Sequence, residues 1–85
     1  MTLPKDVREL ARFGSDAINA YMRGMSVPAV ALRYRYEPIT AIVMLRHLCS
    51  WYGEKNVELI IPAHIYSFVM GHPEKVCAYK SETDP

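Results

Sequence analysis

Proline and glycine divide this chain into short pieces before any other residue type has a say. Pro4, Gly24, Pro28, Pro38, Gly53, Pro62, Gly71 and Pro73 recur so often that only brief elements fit between them. Proline is tolerated in the first turn of a helix and not inside it, and glycine supplies the left-handed residue that closes one. The pattern therefore predicts a run of short helices, and the apolar spacing supports it. In PKDVRELARFGSDAINAYMRG, Val7, Leu10 and Ala11 recur at i, i+3, i+4 behind Pro4. Gly14 and Ser15 are expected to interrupt this helix, with Ser15 or Asp16 capping a restart whose apolar face is Ile18, Tyr21 and Met22. Gly24 closes it.

Ser26 is the expected N-cap of a short second helix over 27–34, with Val27, Val30, Ala31 and Tyr34 on one face. Pro38 opens a third, which carries the apolar run to Tyr52 and ends at Gly53. After the turn GEKN, the β-branched VELII reads as a strand. Pro62 ends it and opens a last helix, AHIYSFVM, with Ile65, Phe68 and Val69 on one face, stopped by Gly71 and Pro73. The polar tail 80–85 is expected to fray. The fold class is mostly α, in a single domain spanning 1–85: a helical part over 4–52 and a strand–helix segment over 57–71.

A chain of 85 residues has a thin core, and with 51% hydrophobic residues it is expected to leave apolar surface that a homodimer would hide. The longest apolar run, Ile39–Cys49, is broken by Thr40, Arg46 and His47 and falls short of the ~18–20 residues of a membrane span. No membrane partner is expected. The start shows no basic region followed by an apolar one, and Cys49 and Cys77 form no CxxC pair, so the thiols are expected to be buried in a reducing cytoplasm.

Net charge is only +1, but it is unevenly spread. Residues 1–50 hold seven cations, six of them Arg, against four acids; residues 51–85 hold three cations against five. A basic front and an acidic back suit a DNA-facing part joined to a partner-facing part. A helix-turn-helix over 26–50 fits this division. Ala31 is the small residue where its two helices would touch, with Val27, Val30, Tyr34, Tyr36, Ala41 and Met44 holding the unit together. Arg35 falls at the turn position often given to glycine, so a left-handed backbone there would carry a cost. Arg33 and Arg35, with Arg23 and Arg46, are placed to hold phosphates; Thr40, Val43 and His47 would lie nearest the bases. Ile39, Ile42 and Val43 stand where polar base readers are usual.

The stretch from Gly24 to Leu48 resembles the helix-turn-helix of the TrfB/KorA-type plasmid repressors, in the spacing from Gly24 to Ala31 and the apolar Tyr34. The similarity continues through EKN and VELIIPAH, with His64 two places after Pro62, and covers about 20–72. It departs near Pro38 and Val43, where that family places a polar base reader. Ser26, Val30 and Tyr34 are also similar to the pattern of PapB-type fimbrial regulators. The resemblance implies a transcriptional repressor whose strand and following helix build the dimer, which here would use Val57, Leu59, Ile61, Ile65, Phe68 and Val69.

No enzyme, cofactor or metal site is expected. His47 and Cys49, two apart on a helix, point in different directions, and His64, His72 and Cys77 have no recognisable zinc-ligand spacing. Tyr34 and Tyr36 flank Arg35 as a stacking platform for single strands would, although Tyr34 also falls on the core face. The sequence thus leads to a homodimeric regulator of double-stranded DNA. Its competitor is a small phage or plasmid module that uses the apolar Ile39–Trp51 helix to bind and inhibit a host protein.

Overall fold

The computed structural model describes residues 2–77; Met1 and residues 78–85, including the tail expected to fray, lie outside the described residues. Five helices follow one another: α1 (Val7–Tyr21), α2 (Val27–Arg33), α3 (Pro38–Cys49), α4 (Ala63–Gly71) and α5 (Pro73–Cys77). The mostly helical expectation holds.

Asp6 starts α1 by accepting the Glu9 N–H at 2.8 Å, and Glu9 reaches back to accept the Lys5 N–H at 2.9 Å. Two donors that a helix start leaves unpaired are thereby satisfied. The helix then runs through Gly14 and Ser15 without the expected interruption. Gly14 serves packing instead. It is buried, and a Cβ there would stand 2.8 Å from Leu45 Cδ1 on α3. At the far end Gly24 adopts φ 101°. Its N–H bonds to the Tyr21 carbonyl and the Met25 N–H to the Ala20 carbonyl, both at 3.0 Å, a Schellman closure.

α2 and α3 pack on α1 and on each other, and α4 lies against α1 and α3. Phe13, Ala17, Ile18, Val30, Ala31, Ile42 and Leu45 fill the core between them. Pro73, expected only to stop a helix, begins α5, which sets Val76 into the same core against α2 and α3.

The expected strand is absent among the described residues. Val57–Leu59 form one turn of 3₁₀ helix, and the Ile60 and Ile61 N–H groups both bond to the Val57 carbonyl, at 2.9 and 2.8 Å. The single β-bridge described joins Thr2 to Tyr36, so VELII has no neighbouring strand. A lone strand would leave its backbone groups unpaired, and the local turn satisfies them. Burial here follows a spacing of four: Val57, Ile61, Ile65 and Val69 all point into the core. Tyr52 stacks on Tyr66, ring centres 4.1 Å apart, and ties the turn after α3 to α4.

Candidate functional site

The corner between α2 and α3 is built from local rules, with one exception. Ser26 Oγ accepts the Ala29 N–H at 3.2 Å and starts α2. Glu37 accepts the Thr40 N–H at 2.6 Å and starts α3, and this bonding to Thr40 holds its carboxyl below the usual range. The exception lies between them. The Arg35 N–H bonds to the Leu32 carbonyl and the Tyr36 N–H to the Ala31 carbonyl, both at 2.9 Å. That is the closure seen at Gly24, but the left-handed residue is an arginine, with φ 63°. A Cβ in this conformation costs roughly 1–2 kcal/mol.

Two sets of contacts hold the corner in place. The Thr2 N–H donates to the Arg35 carbonyl at 2.7 Å, and the Glu37 N–H to the Thr2 carbonyl at 3.3 Å. On the inner side, the Tyr36 phenol donates to Glu9 Oε1 at 2.8 Å and the Tyr34 phenol to Asp16 Oδ2. Phe13 meets both rings edge-on, with centroids 5.7 and 5.5 Å away. Burial, and then the hydrogen bond to Asp16, pushes the Tyr34 phenol up to about 12; burial and Glu9 raise Tyr36 as well. Glu9 is held low by the Lys5 N–H and by Tyr36. With Tyr36 buried and Tyr34 half-buried against α1, the pair does not form a stacking platform.

The expected DNA-facing residues are all exposed. Arg33 ends α2 and Arg35 sits in the turn, and among the described residues no carboxylate holds either guanidinium. Thr40, Val43 and His47 fall at i, i+3, i+7 on the outer side of α3. Arg46, beside them, donates from Nη1 to Cys77 Sγ at 3.9 Å, and His47 meets Trp51 edge-on at 4.8 Å. Arg23 lies apart, before the start of α2, so the seven residues of that helix, about 10 Å, separate it from Arg33. Ile42, one of the three apolar residues expected on the outer face, belongs to the core; Ile39 and Val43 remain outside, 54% and 55% exposed. Met70 of α4, which the sequence did not single out, joins Val43, Arg46, His47 and Ser50 around a shallow recess.

The expected dimer residues are redistributed. Val57, Ile61, Ile65 and Val69 are buried in their own subunit, where α1 and α3 already cover the face of α4 expected to pair. Phe68 is half-buried against Tyr21 and His72. Leu59 alone is freely exposed, at 81%. Their spacing of four was the available signal that they belong to a helix-like core stripe and not to an alternating strand.

Cys49 and Cys77 are free thiols, and burial pushes Cys49 up to about 11. Among the described residues no group of three or more His, Cys, Asp or Glu side chains is placed to share a metal, and no helix is long and apolar enough to cross a membrane. Comparison of the chain with protein-family models, curated proteins and solved structures finds no match. What the molecule offers is a mostly helical domain with one cationic corner and one exposed helix face.

Proposed function

We propose that this chain is a transcriptional regulator, a repressor, that binds double-stranded DNA as a homodimer, with α2 and α3 acting as a helix-turn-helix. The observation that supports this most is the α2–α3 corner. Ala31 is fully buried, Arg35 four residues later is left-handed, and Thr40, Val43, Arg46 and His47 are all exposed on the helix that follows. In this reading Arg33 and Arg35 hold phosphates and set the register, with Arg23 and Arg46 at the flanks. Thr40, Val43 and His47 meet the major groove, where Val43 suits a thymine methyl. Repression follows from occupying a promoter, in the compartment that holds the DNA. The resemblance of 24–48 to the TrfB/KorA-type plasmid repressors points the same way.

The test is binding to random-sequence duplex DNA across a salt series. Affinity in the micromolar range at low salt, falling steeply as salt rises, is the expected result. Arg33→Ala with Arg35→Ala should lower affinity at least tenfold and flatten the log–log salt slope by about 2. No binding at low salt sinks the reading.

One observation favours the second reading. Ile39 and Val43 on α3, with Met70 beside Val43, present exposed apolar side chains that suit the groove of another protein better than a DNA groove. On that reading the chain binds and inhibits a host protein through α3. Removing Arg33 and Arg35 should then hardly matter, while Val43→Lys should abolish binding.

A further inference from the structure

A second concave surface lies between α1 and the segment 53–62. Arg8 and Arg12 form its α1 wall, Lys55, Leu59 and Ile60 form the other, and none of its lining residues belongs to α3. Its three cations are accompanied by no carboxylate in the lining. Lys55 is held in position by the Trp51 ring, 4.6 Å from its Nζ.

Beside the groove stands a ridge. Leu59 is more exposed than any other large apolar side chain among the described residues. It is not loose: Gly53 and Asn56 hold left-handed φ of 84° and 58°, and Val57 and Ile61 anchor the turn in the core on either side. A rigid turn that holds a leucine in water marks a contact surface. The exposed carboxylates on this ridge are Glu54 and Glu58. An acidic ridge with an apolar tip therefore runs alongside a basic groove with aliphatic walls, and every copy of the chain carries both. A two-fold axis satisfies the two together, because in an isologous pair residue i meets j wherever j meets i.

We propose that the chain self-associates through this surface. The ridge 54–60 of one copy lies in the α1 groove of the other, Leu59 is covered by the partner's Ile60 and Pro62, and Glu58 faces the partner's Arg8 and Arg12. Nucleic acid fits the groove less well. A phosphate backbone would desolvate Leu59 and Ile60 against charged oxygens, and the lining holds no aromatic face on which a base could stack. The inference rests on the homodimer of the proposed function and names its surface.

Sedimentation equilibrium of the full chain, from micromolar to near-millimolar concentration, tests it with mass as the readout. The expected result is a two-fold dimer with Kd of roughly 10 μM at low salt. Leu59→Asp, and separately the pair Arg8→Glu and Arg12→Glu, should each weaken it at least about 30-fold, with helicity unchanged by circular dichroism. Combining Arg8→Glu and Arg12→Glu with Glu54→Lys and Glu58→Lys should restore most of the loss, which general damage to the fold would not allow. A monomer throughout, a dimer indifferent to Leu59→Asp, or a charge swap that restores nothing overturns the proposal. So does loss of DNA binding in the Arg8/Arg12 variant at unchanged mass, because the groove would then hold phosphate. Failure of DNA binding in a chain that still dimerises sinks the DNA reading and leaves this one standing.

Discussion

Arg35 holds a backbone conformation that glycine adopts freely and that costs an L-residue roughly 1–2 kcal/mol. Nothing in its backbone hydrogen bonds needs a side chain, since Gly24 makes the same closure without one. Strain kept at an exposed cation is a reason to look for what the cation does. Arg35→Gly should raise stability by about 1 kcal/mol in urea denaturation and weaken DNA binding at the same time. A loss of stability would mean that the guanidinium itself supports the turn. The two tyrosines beside it give a pH signature. Their phenols are raised, so the folded state favours the protonated form. That stabilisation is complete below the ordinary tyrosine pKa of about 10 and drains away as pH rises through the raised values. In an alkaline absorbance titration, Tyr34 and Tyr36 should ionise last and together with loss of helicity. All tyrosines ionising near the ordinary value with the helices intact would contradict it.

At the scale of elements, α1 and the segment after α3 show the same lesson from opposite directions. Gly14 has low helix propensity and reads as a break, yet α1 passes straight through it. Its value is the space it leaves for Leu45 on α3. Gly14→Val should therefore cost about 3 kcal/mol, since branched atoms placed against a fully buried leucine must push the helices apart. Thermal denaturation measures it, and a neutral result would show that α1 and α3 separate easily. VELII has high strand propensity and becomes a turn, because a strand needs a neighbour and this one has none among the described residues. Helix ends, by contrast, were legible. Ser26 caps α2, Glu37 and Pro38 begin α3, and Gly24 closes the turn after α1, as read from the sequence. The left-handed Arg35 was legible too, from its position four residues after Ala31.

At the scale of the whole molecule, the proposed dimer sets the separation of the two α3 faces. If they read DNA, adjacent major-groove sites lie about 34 Å apart, and hydroxyl-radical footprinting on a selected site should show two protected half-sites about 10 base pairs apart. A single half-site protected by a dimer would place the two faces out of reach of one duplex. The amino-acid sequence alone determined the helical class, the caps and closures of α1 to α3, and the exposed cations at the α2–α3 corner. Those features follow from interactions within a few residues, which sequence spacing records directly. Tertiary structure decided the rest. It chose which of two apolar faces goes inward, so that Ile42 enters the core and Val43 does not, and it placed Val57, Ile61, Ile65 and Val69 in their own subunit, leaving Leu59 outside. An apolar side chain is recorded in the sequence only as apolar. Whether it meets its own chain, a second copy or water depends on which surfaces the packed helices have already covered.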